Sequence, residues 1–391
     1  MSEKKRLGML PRVLIAIALG IGFSFFTPEW IVRIFVTFNS IFGNFLGLII
    51  PLLIIGLVAP GITELGTGAG KLLLITVGIA YLSTEISGFF SYFTCNALYP
   101  SVLGNSPSMM QQIVSDSVSI QPYFTIDMPP IMSVTTALIT AFVIGLGLTF
   151  VAGSTFKNFM IDFRGLINVV ITRVIIPCLP LFIFGIFLKM GAEGSVFAVL
   201  GMFAKVILII FAMHIFFLIF QFCIAGLIAK KNPFKALWNM LPAYATALGT
   251  QSSAATIPVT RRRALLNGVD PDVADFTIPL CATIHLSGSI LKIVACAYAI
   301  SFSLGMPMGL DVYAGFILML GITMVAAPGV PGGAIMAAIG LIASMLGFDA
   351  NMQGLMIALY IAMDSFGTAG NVTGDGAIAM IVNTIKNNQN K

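Results

Sequence analysis

Charged side chains are scarce in this chain. Asp, Glu, Lys and Arg supply 9% of its 391 residues, against about a quarter in an ordinary soluble domain, which excludes a surface that faces water all round. Histidine and tryptophan occur twice each. The five cysteines, Cys95, Cys178, Cys223, Cys281 and Cys296, stand singly in apolar stretches. With no CxxC pair and no ligand spacing, they exclude a disulfide framework and a thiolate metal centre, and read as small core hydrophobes. No nucleophile-base pair, phosphate loop or metal-binding cluster is found, so an enzyme has no support. The net charge of +5 does not point to nucleic acid, because the basic residues gather at the ends of apolar runs.

Apolar residues make up 58% of the sequence. A membrane helix needs roughly 20 consecutive apolar residues, and such windows lie near 12–26, 38–61, 70–95, 131–153, 166–190, 196–229, 273–304 and 352–385. An all-α polytopic membrane protein of about eight spans is expected. The run from Val13 continues without a small-residue cleavage site, so the first helix is expected to stay. Lys4, Lys5, Arg6 and Arg12 precede it, Lys230, Lys231 and Lys235 follow the sixth window, Arg261, Arg262 and Arg263 precede the seventh, and Lys386 and Lys391 lie at the end. The positive-inside rule then places both termini in the cytoplasm. Residues 100–130 lack Lys and Arg and read as an external loop.

Two segments do not fit simple spans. Residues 236–260 lie between two basic clusters and carry Gly-Thr-Gln-Ser-Ser at their centre, so they enter and leave on one side. Residues 311–346 hold Ala-Ala-Pro-Gly-Val-Pro-Gly-Gly (326–333) between two apolar arms. Both read as re-entrant hairpins. Irregular backbone at membrane depth is tolerated only where it is buried or lines a wet cavity, and paired broken elements around a midplane site are a transporter device.

Polar groups inside a span are costly and mark function. In the last window Asp364, Thr368, Asn371 and Asp375 fall at i, i+4, i+7 and i+11, one helical face. Two carboxylates, a hydroxyl and an amide on one stripe suit a hard cation or an ammonium group.

These residues resemble the glutamate-transporter family, the dicarboxylate/amino acid:cation symporters. Gln251-Ser-Ser-Ala-Ala-Thr-Ile-Pro-Val-Thr260 resembles the serine-rich first hairpin tip, Gly329-Val-Pro-Gly332 the second tip, and Asn371-Val-Thr-Gly-Asp375 the signature of the final helix. The resemblance implies a homotrimer with an elevator-type fold in the inner membrane of a prokaryote. Residues 1–70 and 131–229 would form mainly scaffold, and 71–99 with 236–385 a sliding transport domain. Asp364 matches the aspartate that holds the substrate's α-amino group. Asn371 matches the asparagine on its α-carboxylate, helped by Ser252, Ser253 and Val330, with Thr368, Gly367 and Ser289 completing the site. Asp375, with Asn371, His285 and Cys281, would hold one sodium partly through backbone oxygens; Thr283 and the backbone before Gly329 would frame a second. Sodium ions are the only accessory group implied, as coupling ions, with membrane lipid and a small-molecule substrate as partners.

The chain departs from the family at its sites. Acidic-substrate members carry arginine three residues after the amino-group aspartate, where this chain has Gly367. Without a fixed cation a second carboxylate would be buried unpaired, so a neutral amino acid is expected, its side chain using the room that glycine leaves. In the seventh span His285-Leu-Ser-Gly-Ser289 replaces the family's Asn-Met-Asp-Gly-Thr, removing the aspartate of a third sodium. Glu85 appears beside Ser83 and Thr84, and Lys292 lies at i+7 from His285. Glu85 is expected to pair with Lys292 or His285 near Ser287, replacing an ion, or to form a proton site with His285. The expectation is sodium-coupled symport of a neutral amino acid. A proton-coupled or cation-independent carrier and an anion-conducting channel of the same fold remain the alternatives.

Overall fold

The computed structural model describes residues 9–66, 71–104, 120–151, 153–306, 309–325, 327 and 332–389, and these are helical apart from turns and connections. In chain order the helices are α1 (Met9–Ser24), α2 (Glu29–Gly66), α3 (Lys71–Leu103), α4 (Val134–Phe150), α5 (Thr155–Val170), α6 (Ile176–Ala192), α7 (Val196–Ala229), α8 (Pro233–Thr250), α9 (Ser253–Leu266), α10 (Pro271–Ile284), α11 (Ser287–Ser303), α12 (Leu310–Met324), α13 (Gly333–Leu346), α14 (Ala350–Ala362) and α15 (Asp364–Gln389). A π-helical turn, Ile171–Ile175, joins α5 to α6.

Among the described residues, five helices are long and apolar enough to cross a membrane: Glu29–Thr63, Leu72–Leu103, Thr155–Ala192, Val196–Ala229 and Pro271–Ser303. Helices α14 and α15 form a further pair bent by 60°. The windows expected at 12–26 and 131–153 carry the shorter apolar helices α1 and α4. Leu74, Phe150, Leu208 and Leu227 are 65%, 87%, 71% and 79% exposed. Large apolar side chains exposed on successive long helices belong against lipid rather than water.

The segment Pro271–Ser303 is the centre of the molecule, with 89% of its most apolar stretch buried. Helix α3 runs along α11 and is fastened to it by hydroxyls. Ser87 Oγ donates to the Ser287 carbonyl at 2.8 Å, Ser91 Oγ to Leu291 at 2.7 Å and Tyr99 Oη to Ala295 at 3.2 Å. The donors at 87, 91 and 99 and the acceptors at 287, 291 and 295 are spaced by multiples of four residues, so one face of each helix stays against the other. Helix α2 packs on α4, and α1 on α6. Helices α8 to α10 surround α15, where Met240, Ala243, Ile278, Val372 and Ala379 belong to a second buried cluster.

The expected external loop is partly visible. Residues 105–119 lie outside the described residues; from Ile120 onward the chain lies on α2, with Tyr123 N–H donating to Thr37 Oγ1 and Asn44 Nδ2 to the Ile126 carbonyl.

Candidate functional site

The first expected hairpin forms from α8 and α9, and its tip is two residues long. Gln251 closes α8 in the left-handed region (φ 53°), which turns the chain without a glycine. Ser252 then caps α9, its Oγ accepting from Ala255 N–H at 3.3 Å. Thr256 Oγ1 donates back to the Ser252 carbonyl at 2.8 Å. The second expected hairpin forms from α12 and α13. Gly329 and Val330 of its tip lie outside the described residues. Gly332 starts α13 with φ 75°, a conformation glycine adopts without steric cost, and this aims its N–H at Asp364 Oδ2, 2.7 Å away.

Two helices break opposite these tips. Helix α10 ends at Ile284 and α11 begins at Ser287, while α14 ends at Ala362 and α15 begins at Asp364. Breaking a buried helix frees N–H and C=O groups that need partners. Asn371 supplies one: its Oδ1 accepts from Gly288 N–H at 2.8 Å and Ser289 N–H at 3.2 Å. The buried His214 Nε2 donates to the Gly288 carbonyl at 2.9 Å. Ser289 Oγ accepts from Asn371 Nδ2 at 3.0 Å and from Tyr360 Oη at 3.2 Å.

Both carboxylate oxygens of Asp364 are hydrogen-bonded. Its Oδ1 accepts from Lys292 Nζ at 2.9 Å and its Oδ2 from Gly332. The Lys292 ammonium also lies 3.5 Å from the centre of the Tyr360 ring, a cation-π contact. Lys292 has no exposed surface. A Cβ on Gly367 would lie 2.7 Å from both Cε and Nζ of Lys292. The room beside Gly367, expected to receive a substrate side chain, is therefore filled by Lys292, and the fixed cation expected to be missing is supplied by α11.

Asp375 is also paired. His285 Nδ1 and Asp375 Oδ1 share a hydrogen bond of 2.9 Å. On the other side of the ring, Nε2 meets Ser83 Oγ at 3.1 Å, and Gln221 Nε2 reaches Ser83 Oγ, Ser287 Oγ and His285 Nε2 at 2.9–3.3 Å. The expected pairing of Glu85 with His285 or Lys292 does not form, because each of those two side chains has a carboxylate of α15 directly against it. Glu85 is buried with both oxygens lacking a hydrogen-bond partner among the described residues. It faces Gly321 of α12, where only a residue without Cβ leaves it space.

A small cavity of about 40 Å³ lies between the hairpin tips. It gathers Gln251 and Ser253 of the first tip, Ala327 and Gly333 of the second, and Thr283, Ser289, Asp364, Thr368 and Asn371. Gln251 Nε2 donates to Ser365 Oγ at 3.3 Å, tying the first tip to α15. Asp375, His285 and Ser287 form a neighbouring network, and Cys281 is buried on α10. Ser252 acts in the tip as a cap. Thr283 Oγ1 donates to the Leu280 carbonyl at 2.8 Å.

Residues 9–385 match the model of the sodium:dicarboxylate symporter family. The chain belongs to that family. It is 27% identical over 404 residues to the serine/threonine transporter SstT of Acinetobacter baumannii (strain AYE), covering 98% of each chain. It is also 27% identical over 341 residues to the serine/threonine transporter SstT of Streptococcus suis (strain 05ZYH33), covering 85% of this chain and 94% of the relative. As a sodium:dicarboxylate symporter family member with several long apolar helices, it is a multi-pass membrane transporter and not an enzyme. Within that family frame, the Lys292 to Asp364 bond was the feature sequence reasoning missed. Its signal was present: a cation lost at 367 and another gained at 292, on two helices meeting at one site.

Proposed function

We propose that this chain carries a small neutral amino acid, serine or threonine in kind, across a prokaryotic inner membrane. The observation that carries the reading is the cavity between the hairpin tips, lined by Asp364, Asn371, Thr368 and Ser289. The substrate's ammonium group is held by Asp364. Its carboxylate lies against the Asn371 amide and the N-terminal backbone of α9 at Ser252 and Ser253, where helix N–H groups favour an anion. Ser289 spends both acceptor directions on Tyr360 and Asn371, which leaves its own O–H to a polar side chain of the occupant. Toward a dicarboxylate without an amine the Asp364 and Lys292 pair stays neutral and has no surplus positive charge to offer, which disfavours such substrates. The serine/threonine transporter names of the relatives agree with this choice.

The two hairpins, α3, α10, α11, α14 and α15 move together as an elevator against α1, α2 and α4 to α7, with three copies in the assembly and both termini in the cytoplasm. Sodium binds at Asp375 with Asn371 and backbone oxygens near Cys281 and His285, and at a second position framed by Thr283. A second reading is favoured by the His285 bond to Asp375: a proton held by that pair neutralises the carboxylate, and transport then follows pH instead of sodium.

Thermal stability of the purified protein separates these readings, since a ligand of the native state raises the melting temperature. Serine and threonine are expected to stabilise it, and aspartate and succinate to leave it unchanged. A shift only in sodium buffer supports symport; one that ignores sodium and follows pH between 5.5 and 7.5 supports the second reading. Stabilisation by aspartate above every neutral amino acid overturns the substrate assignment.

A further inference from the structure

We propose that Lys292 is a tethered counterpart of the substrate's ammonium group, which occupies Asp364 when the site is empty and must be displaced when an amino acid binds. The proposal rests on the reading of Asp364 as the amine subsite. Both oxygens of Asp364 already accept a bond, Oδ1 from Lys292 Nζ and Oδ2 from Gly332 N–H, and one carboxylate neutralises one cation, so a substrate ammonium arriving there leaves the buried Lys292 charge uncompensated unless the lysine gives way. The ammonium itself is held by Asp364, by the Met363 carbonyl at 3.4 Å and by the Tyr360 ring. The titratable groups around it are Asp364 on α15, Tyr360 on α14, Cys296 on its own helix and His214 on α7. Among the described residues, Asp364 is the only carboxylate in this set.

The arrangement solves a problem every carrier meets. After releasing its substrate the site must close empty and return, and a bare carboxylate at membrane depth opposes closure. With Lys292 on Asp364 the pair is neutral and the second hairpin can latch through Gly332. Gly367 permits this, because any Cβ there would collide with the lysine. Lys292 therefore sets the balance between return of the empty carrier and exchange of one substrate for another.

The test compares the full-length protein with Lys292→Met in sealed vesicles, using labelled serine. Net uptake into empty vesicles is expected to fall at least about tenfold, as a buried carboxylate left unpaired costs more than that factor, while exchange against internal serine persists. Net uptake and exchange falling together overturn the proposal. A second arm needs no substrate. In Lys292→Ala, ethylammonium is expected to refill the vacated position and raise the melting temperature, but not in wild type or in the Lys292→Ala, Asp364→Asn double variant. An ethylammonium effect that is the same in all three proteins, or absent from Lys292→Ala, also overturns it. If wild type neither binds nor moves serine, the amino-acid reading fails for serine, and the ethylammonium arm still decides the role of Lys292.

Discussion

At Gly367 one missing carbon decides what the site contains. The space next to its Cα holds the end of Lys292, so the glycine is a condition of the ion pair rather than a gap for cargo. Alanine usually stabilises a helix over glycine by roughly 0.5–1 kcal/mol, but here its methyl would push the ammonium off Asp364. Gly367→Ala is expected to destabilise the protein by about 1–3 kcal/mol, the range for overpacking a filled interior. The same substitution made in Lys292→Ala, which removes the Cδ, Cε and Nζ atoms that the methyl would meet, should cost much less. Melting temperatures of the four proteins in this cycle check it, and equal costs in both backgrounds would refute the steric account. The His285 and Asp375 pair follows the same logic, since removing either partner strands the other in a dry interior.

Broken helices and hairpins are the elements that matter, because each end exposes backbone groups that a continuous helix would hide. Asn371 caps the start of α11, Ser252 caps α9, and Asp364 receives the first N–H of the second hairpin's inner arm. That last bond couples the hairpin to the amine subsite: whatever occupies Asp364 is felt at Gly332. Gly332→Ala forces a side chain into φ 75°, a strain of about 1 kcal/mol or more. The substitution should loosen the tip without unfolding the protein. The measurable outcome is faster maleimide labelling of a cysteine placed at Ala327, with little change in melting temperature; an unchanged rate would mean that this bond does not hold the hairpin.

Across the whole molecule, lipid takes the place that water has for a soluble protein. The exposed face of α7 includes Leu208, Ile215 and Phe216, with α7 running the full length of a span. On a soluble protein an exposed leucine changed to aspartate is close to neutral. At the centre of a membrane helix an aspartate costs about 2.5–3.5 kcal/mol of insertion. Leu208→Asp should therefore lower the fraction of protein that resists alkaline extraction from membranes, whereas Phe234→Asp, exposed at the basic end of α8, should not.

Composition and hydrophobic run length were enough to place this chain in a membrane as an all-helical protein, since run length is a local property set by bilayer thickness. The hairpins were equally legible, because Gln251-Ser252-Ser253 and the Gly/Pro run at 326–333 are local breakers of apolar helices. The stripe Asp364, Thr368, Asn371 and Asp375 followed from helical period alone. Partner choice was not local. Glu85, His285 and Lys292 could be recognised as costly and important, yet which partner each one meets depends on how two broken helices cross. The tertiary structure brings α11 and α15 together at Gly288 and Gly367, close enough for Lys292 to reach Asp364 and His285 to reach Asp375, and it turns Glu85 toward α12. A buried charge pairs with whatever the packing sets against it, and that packing is decided by residues far apart in the chain.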